Sequence, residues 1–219
     1  MTLTPLARAY RFVRGDGSLT IAVAILEVFL FALYPMIEVG AVPAWSLDAA
    51  FALFLLVGVS FVFEPRPLVK LFLVLVVVTV VVRLSAQLPA APSRLLLALD
   101  AITVMATSLA FGALLIVRVL RDGRINIHRI LAACGTFLLL GLVFAQAYKL
   151  LALFVPNAFA LSGAPVDEAT MHHRFVYFSF ITLTSTGYGD FTPIHPYSRS
   201  LASFEAIVGQ LYLAVLIAR

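Results

Sequence analysis

Nine consecutive residues carry the chemistry of this chain: Thr182-Leu183-Thr184-Ser185-Thr186-Gly187-Tyr188-Gly189-Asp190. Hydroxyl residues come first, two glycines flank a tyrosine, and an acid closes the run. The pattern suits a backbone that offers rings of carbonyl oxygens to a dehydrated ion in place of its water shell. Aiming successive carbonyls into one narrow tube needs torsions on both sides of φ = 0, and glycine takes the positive ones at low steric cost. Ser185 and Thr186 can add hydroxyl or carbonyl oxygens at the inner end. A bare Gly-Tyr-Gly-Asp occurs by chance in many proteins. Here it follows an aromatic-rich hydrophobic segment and precedes an apolar run.

The elements that must hold this run in place are those of a membrane protein. The chain has 219 residues, of which 63% are hydrophobic and 12% charged, with a mean hydropathy of +1.07. A soluble domain is closer to about 45–50% apolar and about 25% charged. Runs long enough to cross a bilayer recur, and six are expected: 19–34, 47–63, 68–84, 95–119, 130–155 and 197–218. Pro35, Pro65, Pro67, Pro89, Pro92, Pro156 and Pro196 fall at their ends, where proline is tolerated. The expected fold class is therefore an all-α integral membrane protein with six transmembrane helices. A re-entrant helix and filter lie between the fifth and sixth.

Arginine and lysine set the orientation. Arg8, Arg11 and Arg14 precede the first span, Arg66 and Lys70 lie in the second turn, and Arg118, Arg121, Arg124 and Arg129 follow the fourth. These segments share one side, expected to be the cytoplasm, together with both termini. The other side carries Arg83, Arg94, Lys149, Arg174 and Arg199, and the acids Glu38, Asp48, Asp167, Glu168 and Asp190. The loop after the fifth span then faces out, as a filter entering from outside requires. The net charge of +4 is assigned to cytoplasmic arginines and not to nucleic-acid binding. No cleavable signal peptide is apparent, so the first span is expected to stay as an anchor. Cys134, the lone cysteine, reads as a small packing residue.

From about Ile130 onward the sequence resembles the pore module of the tetrameric potassium channel superfamily: outer helix, pore helix, filter, inner helix. The resemblance rests on Thr184-Ser185-Thr186-Gly187-Tyr188-Gly189-Asp190 and covers residues 130–219. It implies K+ coordination by Ser185, Thr186, Gly187, Tyr188 and Gly189. Thr184, Asp190, Tyr177 and Phe178 would support that filter. Family members most often have Thr-Thr-Val/Ile-Gly-Tyr-Gly-Asp, so Ser185 replaces a threonine and Thr186 a branched aliphatic residue whose place lies behind the filter. Thr186 then needs a partner for its hydroxyl. The family's aromatic pair, often tryptophan, is Tyr177-Phe178 here. The usual indole bond to the filter acid is lost unless the Tyr177 hydroxyl replaces it. The pore helix is expected over 172–184.

In the inner helix, Glu205, Gly209 and Gln210 are the gating and cavity candidates. An intramembrane acid is a functional candidate by default. Glu205 either braces the filter from behind or contacts the pore helix of a neighbour. Gly209 is read as a hinge or as a small packing residue. Gln210 faces the cavity or bonds between subunits. The inner helix runs only about one bilayer thickness to Arg219, which reads as a gate at the filter or a shortened chain.

The organisation expected is a cytoplasmic segment at 1–18, a four-helix membrane domain at 19–120, a linker at 121–129 and the pore module at 130–219. The fourth span has no arginine before Arg118, so the first four spans read as a packing domain without a voltage sensor. Arg83 and Asp100 are placed to pair, and Glu27 is unexplained. His172, His173 and His195 are either an external proton sensor or exposed loop histidines. No enzyme constellation stands out. No cofactor is expected beyond K+ as the permeant ion. The expected partners are three further copies in a homotetramer and the lipid bilayer, with no nucleic acid and no soluble partner. The bias of 13 Arg to 2 Lys and the minimal loops suggest a bacterial inner membrane. The functional expectation is a passive potassium-selective channel. The alternatives are a non-selective cation channel and a non-conducting scaffold or modulatory subunit with a relic filter.

Overall fold

The computed structural model describes residues 25–26, 29–33, 35–36, 39–42, 46, 67–87, 93–119, 127–161, 164–165 and 174–218. The expected spans at 19–34 and 47–63 fall largely or wholly outside these residues, as do Glu27, His172 and His173. Five helices and three short strands follow in order among residues 67–218: α1 (Pro67–Gln87), α2 (Arg94–Val119), α3 (Ile127–Phe154), β1 (Phe159–Leu161), β2 (Ala164–Pro165), α4 (Arg174–Leu183), β3 (Phe191–Pro193) and α5 (Pro196–Ile217). Among the described residues three helical segments are long and apolar enough to cross a membrane: Arg94–Ile116, Arg129–Phe154 and Pro196–Ile217. They lie within α2, α3 and α5, close to the expected bounds. Helix ends follow local chemistry. Ser93 Oγ accepts from Leu96 N at the start of α2, and His195 accepts from Tyr197 N at the start of α5, with proline in its first turn.

The chain divides into two compact units, Met1–Val77 with Ala110–Thr136, and Val78–Leu109 with Phe137–Arg219. In the first, Phe72 and Phe111 stack with ring centroids 5.4 Å apart, and Leu115, Ala132 and Ala133 are also buried. Cys134 is exposed on α3 and not packed as expected; a small thiol on an apolar helix face costs little in either place.

The second unit contains the whole resembling segment from Phe137 onward. Thr79 and Thr107 bond through their hydroxyls at 2.6 Å, and Thr79 also donates to Thr103 O. Asp100 is paired with Lys149 Nζ at 2.7 Å and lies 3.7 Å from Arg83. The expected Arg83 pairing is present, but Lys149 is the closer partner. Two cations on one acid lower the cost of holding it in an apolar setting.

The all-α expectation has one exception. A three-stranded antiparallel sheet of order β2-β1-β3 stands outside the helices. It pairs Phe159 with Pro193, Ala160 with Thr192 and Leu161 with Phe191. The segment after Asp190 is thus an edge strand. Its proline sits where a strand tolerates a missing donor. The rings of Phe159 and Phe191 stack across the pair at 5.4 Å. Tyr148, Phe175 and Phe178 close around them edge-on, a geometry worth about 0.5–1.5 kcal/mol per aromatic pair beyond burial.

Candidate functional site

The site is the loop 184–190, held between α4 and β3. α4 is a ten-residue helix, about 15 Å long and too short to cross a bilayer. It ends where Gly209 of α5 abuts it. A Cβ on Gly209 would lie 2.1 Å from Leu183 O, so only glycine lets α5 come this close. This is the packing role among the two readings of Gly209. Gly141 does the same for α3, where a Cβ would meet the Phe180 ring at 2.7 Å.

The loop then leaves the helix with positive φ at every second residue: Ser185 at 57°, Gly187 at 54° and Gly189 at 81°. Two glycines take these torsions freely, while Ser185 pays for a left-handed conformation at roughly 1–3 kcal/mol. Two bonds hold it there. Ser185 N donates to Thr182 O at 2.9 Å, and Gln210 Nε2 donates to Ser185 Oγ at 3.0 Å. Gln210 therefore contacts the loop of its own chain.

Backbone donors of the loop turn back towards α4. Thr186 N and Gly187 N both donate to Ile181 O, at 2.8 and 3.1 Å. The N–H groups of Thr186 and Gly187 are thereby committed to the helix. Residues 184–190 are all exposed in the single chain, Tyr188 at 72%. The Thr186 hydroxyl finds its partner in Thr184 Oγ1 at 2.8 Å, and Thr184 Oγ1 also lies 2.7 Å from Phe180 O.

At the far end Tyr177 OH donates to Asp190 Oδ2 at 2.9 Å. The tyrosine supplies the bond that the missing tryptophan would have made. Phe178 points the other way, buried in the aromatic cluster. Adjacent residues of one helix thus serve two surfaces, one the loop acid and one the sheet.

Behind α4 sits Glu205, fully buried on α5. Tyr148 OH of α3 donates to Glu205 Oε2. Ser179 Oγ of α4 is within hydrogen-bond distance of Glu205 Oε1 and 2.7 Å from Gly141 O of α3. Glu205 therefore braces the helix of its own chain from behind. Tyr148 and Ser179 were not legible as site residues. The signal available was a serine, Ser179, set between Phe178 and Phe180 in α4, and a tyrosine close to Gln146 and Lys149 in a largely apolar helix. Among the described residues no group of three or more His, Cys, Asp or Glu is placed to hold a metal ion.

Residues 136–219, which comprise most of α3 and everything after it, match a family model described as ion channel. The chain is also 33% identical over 108 residues to Protein LctB of Bacillus caldotenax, a match covering 47% of this chain and 78% of that protein. No solved structure matches it. A helix–short helix–loop–helix unit with membrane-length outer members over the residues that match this model, together with the match to this relative, places the chain in the ion channel family.

Proposed function

We propose that this chain is one of four identical subunits of a potassium-selective channel that conducts passively, with no catalytic step and no cofactor beyond the permeant ion. The observation that carries the reading is the alternating backbone of loop 184–190, whose amides at Thr186 and Gly187 are tied back to Ile181 O. Such a strand presents carbonyl oxygens on one side, and one strand becomes an ion-coordinating ring only when several chains surround an axis. Ser185, Thr186, Gly187, Tyr188 and Gly189 then coordinate K+. α4 becomes a re-entrant pore helix, tolerated at membrane depth because neighbours bury it. Its C-terminal dipole end is directed to the cavity, where it favours a cation.

α5 supports this arrangement. Little of its apolar length is buried within one chain, and Phe204, Ile207 and Leu211 are exposed. Neighbouring subunits and lipid would cover that surface. Six spans per subunit, both termini in the cytoplasm and a bacterial plasma membrane complete the proposal.

The test is reconstitution of the purified chain into vesicles, with K+ and Na+ flux measured separately and subunit number determined by cross-linking. K+ flux well above Na+ flux from a tetramer is expected. Equal fluxes make the chain a non-selective cation channel. An absence of flux makes it a scaffold or modulatory subunit.

A further inference from the structure

We propose that Glu205 is a positioning residue for the ion-conducting loop and that it acts as a neutral acid, the middle of a closed belt of hydrogen bonds joining α3, α4 and α5. The inference rests on the channel reading for the loop's role. The belt itself rests on hydrogen counting.

Ser179 Oγ has one hydrogen and two neighbours that could take it, Gly141 O and Glu205 Oε1. A backbone carbonyl can only accept. If Ser179 donates to Glu205, it cannot also donate to Gly141 O, 2.7 Å away. If it donates to Gly141 O, its contact with Glu205 Oε1 is a hydrogen bond only when the carboxyl carries the proton. The neutral acid satisfies every contact. Tyr148 OH donates to Glu205 Oε2, protonated Oε1 donates to Ser179 Oγ, and Ser179 donates to Gly141 O. Three hydrogens make three bonds, and the belt starts and ends on α3.

The surroundings agree. Glu205 is fully buried on a membrane-length helix, and both side chains bonded to it are neutral hydroxyls. Tyr148 is the titratable group that faces it from α3, and α4 presents Ser179. An ionised carboxylate without a cation at such depth is costly, whereas a neutral acid with both oxygens bonded is cheap to bury.

The belt reaches the loop through α4. Ser179 lies two residues before Ile181, whose carbonyl holds Thr186 N and Gly187 N. Displacing Ser179 displaces the acceptor that orients those peptides.

The test uses the full chain in vesicles. Infrared difference spectra of wild type minus E205Q at neutral pH should show a protonated-carboxyl C=O band. E205Q keeps a donor and an acceptor and should hold the K+/Na+ flux ratio within about twofold of wild type. E205A strands Ser179 and Tyr148 and should lower that ratio by about tenfold or more. A missing band overturns the proposal, and so does E205Q behaving like E205A. If E205A does not fold, the band and E205Q still decide. A wild-type protein with the band but no flux overturns the channel reading and leaves the neutral belt standing.

Discussion

Replacing Gly209 by alanine separates the two roles open to that glycine. The new Cβ would sit 2.1 Å from Leu183 O and 3.0 Å from Leu183 C. A carbon–oxygen contact relaxes only near about 3.3 Å, so α5 and the end of α4 must part by about 1 Å. The obstacle is backbone and cannot rotate away. Overpacking of this kind costs about 1–3 kcal/mol, while alanine in a helix gains up to about 1 kcal/mol over glycine. The net expectation is a loss of roughly 1–2 kcal/mol, with Leu183 pushed directly against Thr184 and Ser185. Gly112→Ala is the control, because a Cβ there meets nothing within 4 Å. Gly141→Ala should fall between, since the Phe180 ring can shift. Thermal midpoints in detergent should rank Gly112→Ala highest and Gly209→Ala lowest, and Gly209→Ala should also reduce K+ over Na+ flux. A Gly209→Ala protein of wild-type stability and selectivity, with only its opening impaired, would refute the packing argument and restore the hinge.

Two further substitutions probe the loop and its support. Tyr177→Phe removes the 2.9 Å bond to Asp190; being exposed it should cost only about 0.5–1.5 kcal/mol, yet K+ currents should decay faster during sustained conduction, and unchanged decay contradicts that role. Lys149→Met leaves Asp100, whose side chain is 7% exposed, with Arg83 at 3.7 Å. With Arg83 still beside the acid it should destabilise by about 1–3 kcal/mol, less than the loss of about 3–5 kcal/mol for a wholly unpaired buried charge, and adding Asp100→Asn should recover most of the loss in a thermal-melt comparison.

What could be read in the sequence was whatever announces itself locally. α2, α3 and α5 were visible because an apolar run of membrane length has few other uses. The loop was visible because glycine spacing encodes its torsions. Tyr177 stood within reach of the acid it bonds, 13 residues away. The belt was hidden because its members lie at 141, 148, 179 and 205, and no period or motif relates them; only packing three helices together brings them into contact. The sheet was hidden for a different reason. Phe159–Leu161 and Phe191–Pro193 are three residues each, too short to show alternation, and they pair across the whole of α4. Lys149 gave no sign of its partner because ion pairing depends on how α2 and α3 are rotated, which composition does not fix.

One carbonyl gives α5 a mechanical character. Ala158 O accepts from Ile194 N at 3.0 Å, from His195 N at 3.3 Å and from Ser198 Oγ at 2.7 Å. The N-terminal end of α5, with the two residues leading into it, is thus tied at a single point just ahead of β1. α5 is held again at Glu205, Gly209 and Gln210, so about its first four turns are fixed along one side and freedom to swing begins beyond Gln210. The part of α5 beyond Gln210 is about 10 Å long, so a bend of about 10° there would carry Ile217 only about 2 Å and leave the loop and the residues beside Ala158 nearly still.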